Sequence, residues 1–334
     1  MSEQEGGTAM KLPRRRFLHL VAGAAALPAM SRIAAAQTYP ARPVRIVVGT
    51  AAGSPQDVLS RLMGHWLSER LGQPFVIDNR VGAATNIATE AVVRAPADGY
   101  TLLSVGSSVA INATLYEKLS FNFIRDIAPV ASFVHQAQMV VAHPSIPART
   151  IPELIAHAKA NPGKLNFASS GIGTGNHMAG ELFKMLAGVD IVHVPYRGAG
   201  PAATDLLAGQ VQLMFVSPVV TIEHINTGKL RLLAVTTATR SETLPDIRAV
   251  AEFVPGYEST AWFGICAPRN TPAEIVDKLN KDINAGLADS KTRARFADLG
   301  GGVVASSPAE FGKLIAEETD KWGKVIRAAN IKAE

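Results

Sequence analysis

The sequence predicts an α/β protein with two lobes, each containing a doubly wound sheet, and three observations support this prediction. Short apolar runs alternate with amphipathic stretches of helical spacing from Tyr39 onward. Glycine and proline stand at many of the boundaries between these two patterns. The alternating part is about 298 residues long, which is more than one ordinary domain holds. Strands that alternate with helices predict parallel sheets joined by helical crossovers.

The first part of the alternation predicts three strands with helices between them. The strands are VRIVVG (44–49), FVIDN (75–79) and YTLLSVG (100–106). The first intervening stretch, QDVLSRLMGHWLSERLG, repeats apolar residues at helical spacing and ends at Gly72, a residue type common just after helices. The second stretch, ATNIATEAVVRA, is also predicted as a helix.

The rest of the chain continues the same alternation. Strands are predicted at MVVAH, KLNFAS, DIVHVPY, VQLMFV and LRLLAVT. Helices are predicted at IPELIAHAKANPG, HMAGELFKMLAG, AATDLLAGQ, TPAEIVDKLNKDINAGLAD and SPAEFGKLIAEETDKWGKVIRAAN. The last of these begins with Ser307, Pro308 and Glu310, an arrangement typical of a capped helix start.

The first 36 residues predict a cleaved export signal. Arg14, Arg15 and Arg16 precede an apolar stretch from 18 to 30, and Ala34-Ala35-Ala36 ends it as a signal-peptidase site requires. The arginine pair resembles the twin-arginine pattern, so we expect cleavage near Ala36 and a periplasmic mature protein. The alternative is an unprocessed membrane anchor.

Charge and cysteine usage narrow the function classes. Residues 1–36 hold five Lys/Arg and two Asp/Glu, so the formal charge falls from +5 to +2 on cleavage. A chain of that charge, with no basic stripe, does not indicate nucleic-acid binding. Cys266 is the only cysteine, which excludes an intramolecular disulfide, and its apolar setting in WFGICAP predicts a core residue rather than a nucleophile.

Residues 166–178, NFASSGIGTGNHM, form the loop with the clearest chemical pattern. The glycines of GIGTG (171–175) suggest dinucleotide binding, but Tyr196-Arg197 stands where the acidic ribose partner is needed. A phosphate loop is not indicated either, because no Gly-Lys-Ser/Thr closes the segment. The remaining interpretations are a tight structural turn and a cradle in which backbone amides, hydroxyls and a helix N-terminus bind a carboxylate.

Three strand-to-helix loops share this composition, and we expect them to line one cleft if they converge. Glycine lets backbone amides approach a ligand, and short hydroxyl and amide side chains add donors. The candidate residues are Thr50, Ala51, Ala52, Gly53 and Ser54 in the first loop, Ser107 and Ser108 in the second, and Ser169, Ser170, Gly173, Thr174, Gly175 and Asn176 in the third.

Sequence patterns for catalysis are weak. There is no G-x-S-x-G turn for a nucleophilic serine and no H-E-x-x-H for a metal, so we expect no catalytic residue, no metal and no cofactor. His177, at a helix start, is interpreted as a local hydrogen-bonding residue, and Asp57 as a backbone cap. An exported NAD-linked enzyme that uses the 171–175 loop stays open as the alternative.

Five segments in register resemble the Bug-type solute receptors of tripartite tricarboxylate transporters. They are YPARPVRIVV, LGQPFVIDNRVGAATNIATEAVVRAPADGYTLL, HVPYRGAGPAATDLLAGQVQLMF, GKLRLLAVT and LPDIRAVAEFVPGYESTAWFGICAP. The resemblance covers about Tyr39 to Ala333. It implies a type II periplasmic-binding-protein fold, with residues 37–140 and 237–334 in lobe 1 and residues 141–236 in lobe 2. It also implies a monomeric receptor that closes on a small carboxylate and delivers it to membrane permease subunits.

The resemblance assigns carboxylate binding to Thr50–Asp57 and Ser169–His177, although this chain departs from the family pattern in the first loop. There Gly49 and Thr50 replace a proline and an aromatic residue, and Ser54-Pro55 replace flexible glycines, which implies a smaller and stiffer wall. Asp57 is retained.

A second departure concerns the loop after VQLMF. Some members place Asp where Val216 stands, which suits an ammonium group, so Val216-Ser217 favours a non-amino mono- or dicarboxylate. An orphan receptor that feeds a signalling partner stays open beside uptake.

Overall fold

The computed structural model describes residues 39–240, 244–299 and 301–333. The chain separates into two units, residues 1–39 and 40–334, and the second contains all the secondary structure described below. The predicted signal peptide lies outside the described residues. Among the helices that are described, none is both long and apolar enough to cross a bilayer.

A six-stranded sheet forms one side of the molecule, with the strand order β11-β4-β10-β3-β1-β2. Its strands are β1 (Val44–Val48), β2 (Phe75–Asn79), β3 (Thr101–Gly106), β4 (Ile127–Ala137), β10 (Thr260–Pro268) and β11 (Gly302–Val303). The centre of β1 is fully buried, because helices cover the sheet on both faces and β1 pairs with β2 on one side and β3 on the other.

A five-stranded sheet forms the other side, with the order β7-β6-β8-β5-β9. Its strands are β5 (Met139–Ala142), β6 (Asn166–Ser169), β7 (Val192–Pro195), β8 (Leu213–Val216) and β9 (Arg231–Val235). The predicted α/β class with two sheets is thereby confirmed. The assignment of residue ranges to lobes stays a prediction.

The sheets are mixed rather than parallel throughout, which corrects the expectation of parallel sheets. In the six-stranded sheet β10 is antiparallel to β3 and β4, and the edge strand β11 is antiparallel to β4; in the five-stranded sheet β5 is antiparallel to β8 and β9. The strands β5 and β10 are the ones that the chain enters after leaving the other sheet, β5 directly after β4 and β10 after β9. Helical crossovers impose parallel pairing only on strands that follow one another within a sheet.

Eleven α-helices are described, and most coincide with the predicted ones. They are α1 (Pro55–Leu71), α2 (Asn86–Val93), α3 (Ser108–Leu115), α4 (Phe123–Asp126), α5 (Ile151–Ala160), α6 (Gly175–Ala187), α7 (Ala199–Leu207), α8 (Pro218–Asn226), α9 (Ala273–Ala288), α10 (Ser290–Asp298) and α11 (Pro308–Ala328). Short 3₁₀ turns lie at Ala83–Thr85 and Val250–Glu252. As predicted, α1 ends at Gly72 in the left-handed conformation, and Ser307 and Glu310 form a capping box at the start of α11.

Three buried residues bind one another where the chain passes between the sheets. The backbone amide of Gln138 donates to the Thr236 hydroxyl over 3.0 Å, and the backbone amide of Thr236 donates to the backbone carbonyl of Gln138 over 2.9 Å. The Thr236 hydroxyl donates to the Ser259 carbonyl over 2.6 Å, and the Ser259 amide returns a bond of 2.9 Å to the Thr236 carbonyl. The two strand crossings therefore share one hydrogen-bonded junction.

The core supports the first sheet from one face through α11. Trp262 and Phe311 pack edge to face, and the indole groups of Trp262 and Trp322 both donate to the Glu318 carboxylate, over 3.2 and 2.8 Å. Cys266 is completely buried in β10, which confirms its predicted place in the core, and burial raises the pKa of its thiol well above the usual range.

We predict that Gly264→Ala lowers the free energy of unfolding by about 1–3 kcal/mol, because overpacking a core forces side chains and backbone to move. An added Cβ would lie 2.3 Å from the Phe311 ring and 2.7 Å from the Ala131 carbonyl oxygen. Gly200→Ala is the matched control: nothing lies within 4 Å of its added Cβ, and alanine favours the first turn of α7. Urea unfolding should show a lower free energy of unfolding for Gly264→Ala and an unchanged or higher one for Gly200→Ala. Equal losses in both variants would contradict this account of the packing.

Candidate ligand-binding cleft

A cavity of about 670 Å³ lies between the two sheets, and both contribute to its walls. From the six-stranded sheet come residues of the segments that follow β1, β2 and β3, within 49–56, 81–85 and 106–108. From the five-stranded sheet come residues that follow β6, β7 and β8, within 170–176, 198–199 and 216–220. Each of these segments lies at the carboxyl end of a strand, where ligands collect in open α/β sheets.

Most residues predicted to bind a ligand line this cavity together. They are Thr50, Ala51, Ser54, Ser107, Ser108, Ser170, Gly173, Thr174, Gly175, Asn176, Val216 and Ser217. Three predicted residues lie outside the lining: Ala52 and Gly53 are exposed at the tip of their turn, and Ser169 is fully buried beneath its loop. That the lining residues bind a ligand stays a prediction.

Several helices begin at the cavity wall, and most of these helix starts have no side-chain cap. Ser107, Thr174, Gly198 and Ser217 occupy the N-cap positions of α3, α6, α7 and α8, and none makes the usual side-chain bond to the first turn. First-turn amides have no intrahelical acceptor, and helix N-termini carry positive potential. The wall therefore presents backbone donors from both sheets to whatever occupies the cavity.

No Lys, Arg, His, Asp or Glu is among the lining residues in the part of the chain that the structure describes. The polar side chains in the lining carry only hydroxyl and amide groups. Apolar side chains complete the lining, among them Val81, Ile172, Val220 and Phe263. An anion in this cavity would be neutralised by fixed peptide dipoles and neutral donors rather than by an ion pair.

Asp57 holds the first loop in place from below. This buried carboxylate accepts hydrogen bonds from the Gly53 amide (2.9 Å), the Arg61 guanidinium (2.9 Å) and the Asn79 side chain (2.8 Å). Asn79 also donates to the Thr50 carbonyl over 3.0 Å. Asp57 therefore holds the loop directly at Gly53 and, through Asn79, at Thr50. Burial acts to raise the pKa of Asp57, but the bonds from Arg61, Gly53 and Asn79 outweigh it and lower the pKa.

Two stacked histidines hold the second loop. The rings of His177 and His193 lie 3.8 Å apart. Nδ1 of His177 accepts from the Gly173 amide over 3.1 Å, and Nε2 of His193 is 2.6 Å from the Ser169 hydroxyl. His177 thus has the predicted local hydrogen-bonding role, and the buried Ser169 supports the loop from behind.

Both histidines are neutral at physiological pH. Burial, together with the neighbouring His193 and Lys184 charges, lowers the pKa of His177 to about 3. Burial and Lys184 lower the pKa of His193 to about 4. Glu181 pairs with Lys184 at 2.9 Å and lies 3.8 Å from Nε2 of His177. Nδ1 of His177 can accept the hydrogen bond from the Gly173 amide only when it is unprotonated. The geometry of the loop therefore depends on the neutral ring.

The sequence analysis did not predict the turn after β2 and assigned its last two residues, Ala84 and Thr85, to a helix. Ala83, Ala84 and Thr85 all have positive φ angles (45°, 49° and 78°), and Ala84 and Thr85 line the cavity beside Gly82. The Asn112 side chain donates to the Ala84 carbonyl over 2.6 Å and so stabilises this left-handed turn. Alanine and threonine rarely adopt that conformation, so nothing in the composition indicated it.

Gln136, Gln138, Ala261 and Phe263 also line the cavity and were not predicted. They lie in or between strands at the junction of the two sheets rather than in glycine-rich loops. Their only signal in the sequence is a pair of glutamines, Gln136 and Gln138, beside an apolar strand.

A model of the tripartite tricarboxylate transporter family receptor matches residues 59–331 of the chain. Protein BugT of Bordetella pertussis is 35% identical over 300 residues, covering 89% of this chain and 92% of the relative. A UPF0065 protein from the tcbD-tcbE intergenic region of Pseudomonas sp. (strain P51) is 34% identical over 315 residues, covering 94% of each chain.

Solved structures of similar proteins share the fold. Rpa4515 of R. palustris, solved with adipate, has a TM-score of 0.79 and 35% identity, covering 88% of this chain and 99% of that one. MatC of Rhodopseudomonas palustris, solved with bound malate, has a TM-score of 0.75 and 31% identity, covering 86% and 100%. The periplasmic binding protein BugD has a TM-score of 0.76 and 33% identity, covering 89% and 100%.

We predict that Asp57→Ala lowers the free energy of unfolding by about 2–3 kcal/mol, because it leaves buried donors of the first loop without their acceptor. Asp320→Ala is the control, since Asp320 is an exposed acid paired with Lys324 and its loss should cost under about 1 kcal/mol. Chemical denaturation of both variants measures the difference. Equal losses would contradict the role given to Asp57.

The histidine pair predicts a pH-dependent stability. Because both folded-state pKa values lie below the ordinary value of 6.5, the unfolded chain binds protons that the folded chain excludes between about pH 6.5 and pH 4. Stability attributable to the pair is therefore highest above pH 6.5 and falls on acidification, by up to about 1.4 kcal/mol per pH unit for each group.

The double variant His177→Asn/His193→Gln keeps an acceptor or donor near each native position and removes the titration. Denaturation from pH 7 to pH 4.5 should show a shallower loss in the variant than in the wild type. Parallel curves would show that the two histidines do not titrate as the structure indicates.

Proposed function

The chain belongs to the receptor family of the tripartite tricarboxylate transporters, and we propose that it captures a small non-amino mono- or dicarboxylate by closure of its two lobes. The resemblance found in the sequence and the type II periplasmic-binding fold are both confirmed by the family match and by the similar solved structures. Members of this family are periplasmic solute-binding receptors rather than enzymes.

One observation carries the ligand proposal: helix starts without a side-chain cap, which follow strands of both sheets, line a cavity whose described lining has no ionisable side chain. A carboxylate accepts hydrogen bonds through two oxygens, and each charge-assisted bond is worth about 1.5–3 kcal/mol. Four or five such bonds are enough to hold a small acid without arginine or lysine. The adipate in Rpa4515 and the malate in MatC support this ligand class.

The wall near α8 supports a ligand without an amino group. Val216 and Ser217 line the cavity there, and no carboxylate in the described lining could pair with an ammonium ion. A buried unpaired ammonium is strongly disfavoured. An amino acid should therefore bind more weakly than its non-amino analogue.

Residues from both sides of the cavity support a closure mechanism. Ser54 and Ser108 follow strands of the six-stranded sheet, whereas Thr174 and Asn176 follow a strand of the five-stranded sheet, and all four line one cavity. A carboxylate that contacts both sheets binds the closed form more tightly than the open form and shifts the population toward closure. About 5.5 kcal/mol of differential affinity moves such an equilibrium from 1:99 to 99:1.

The proposed cellular role is delivery of the captured acid, by a monomeric receptor, to the membrane subunits of a tripartite tricarboxylate transporter. Export by the predicted twin-arginine signal and cleavage near Ala36 would place the mature chain in the periplasm. A receptor that feeds a signalling partner would use the same cleft, and neighbouring genes for permease subunits distinguish the two roles.

Isothermal titration of the chain from Gln37 onward tests the ligand proposal. Succinate, malate and adipate form the panel, aspartate and glutamate are the amino controls, and NADH tests the enzyme alternative. We expect heat from at least one non-amino acid and weaker binding of the amino acids. Flat traces for every acid, or binding of NADH alone, would contradict the proposal.

Ser108→Asp tests the electrostatics of the cradle. Ser108 begins α3 at the cavity wall, so an acid there favours the helix but repels an anion. At about 6 Å and an effective dielectric of about 20, this repulsion costs about 2–3 kcal/mol, or about 30- to 150-fold in affinity. Ser108→Asn is the neutral control and should bind within about fivefold of the wild type. Equal affinities of the two variants would show that the ligand is not an anion in this cavity.

A further inference from the structure

We propose that Gln138 contacts the ligand and links it to the junction where the chain crosses between the two sheets. The inference rests on the proposed function, because it assigns a further residue to the same cleft. Gln138 stands between the last residue of β4 and the first residue of β5, so it belongs to the connection between the six-stranded and five-stranded sheets.

The Gln138 side chain is buried at the cavity wall without a hydrogen bond. The residue is 6% exposed, lines the cavity, and its Oε1 has no partner. Its Nε2 makes no hydrogen bond to the described part of the chain. Its unbonded Nε2 offers N–H donors that an acceptor in the cavity can satisfy, whereas the unpaired Oε1 needs a donor, which a carboxylate does not supply.

The position of the amide indicates the charge of that acceptor. A Cβ built on Gly175 would lie 3.5 Å from Nε2 of Gln138, so the amide lies beside the first residue of α6. This helix start has no side-chain cap and carries positive potential. A donor next to a positive helix end is favourable when an anion accepts from both. A carboxylate oxygen in this corner would therefore bind Gln138 and α6 together.

The Gln138 backbone connects that contact to the rest of the crossing. Its backbone amide and carbonyl both bind Thr236, and Thr236 binds Ser259, so the two crossing segments share hydrogen bonds. A ligand that binds the Gln138 side chain would therefore be held by a residue whose backbone is hydrogen-bonded at both crossings.

Gln136 provides a matched comparison two residues earlier. It is also buried and also lines the cavity, but its Nε2 already donates to the Leu299 carbonyl over 2.8 Å. The two glutamines thus have the same side chain and the same cavity, and they differ in whether the amide is already bonded within the protein.

The experiment compares Gln138→Met and Gln136→Met, which keep side-chain length and remove the amide. We expect Gln138→Met to weaken carboxylate binding at least tenfold, with a melting temperature within about 2 °C of the wild type because no internal hydrogen bond is lost. Gln136→Met should melt several degrees lower, because it loses the internal hydrogen bond to the Leu299 carbonyl. Titration calorimetry and thermal unfolding supply both readouts.

Gln138→Glu separates ligand contact from a packing role. It preserves the shape of glutamine and places a negative charge in the proposed carboxylate corner, so its affinity should fall at least tenfold below that of Gln138→Met. Small-angle scattering should show compaction on ligand addition in the wild type and a reduced response in both Gln138 variants.

The outcomes distinguish this inference from the proposed function. If the wild type binds no carboxylate, the proposed function fails and this inference fails with it. If the wild type binds a carboxylate and Gln138→Met binds it equally well, or Gln138→Glu binds as well as Gln138→Met, only the assignment of Gln138 is overturned.

Discussion

The site depends on one physical constraint, which is that helix starts from two separate sheets face the same cavity with their first-turn amides uncapped. Ser107 begins this pattern on one side, and Thr174 and Ser217 repeat it on the other. Uncapped amides are costly when buried without an acceptor, and they become favourable when an anion supplies one. The fold thus favours a negative charge between its sheets, although the described lining has no cationic side chain.

Such a cradle functions only if its loops are held rigidly, and the structure supplies a different support beneath each loop. Under the first loop, Asp57 gathers donors from Gly53, Arg61 and Asn79. Under the second, neutral His177 and His193 accept or share bonds with the loop itself. Both supports place ionisable groups behind the cavity wall rather than in it, so the charge that stabilises the loops is kept away from the ligand. Preorganised donors lose little freedom on binding, which favours affinity.

The sequence was a good guide to the loops and a poor guide to what surrounds them. Most of the residues predicted after β1, β3 and β6 do line the cavity, because small residues at strand ends are a local signal. Residues 84 and 85 of the turn at 83–85 were assigned to a helix, since Ala and Thr favour right-handed backbone and only the tertiary structure shows the left-handed form, with the Asn112 side chain bonded to the Ala84 carbonyl. Gln138 was missed because its importance comes from an unsatisfied amide beside Gly175, a relation between residues distant in the chain.

The amino-acid sequence by itself determined most of the strands and helices, the helix caps at Gly72 and Ser307, and the composition of the candidate loops, but it did not indicate the long strand β4. These properties follow from interactions between residues a few positions apart, which periodicity and residue type record. Only the tertiary structure decided that β5 and β10 run antiparallel in their sheets, that loops about 120 residues apart in the chain share one cavity, and that Thr236 joins the crossings. Those features depend on pairing between distant segments, and a single sequence carries no local signal for such pairing.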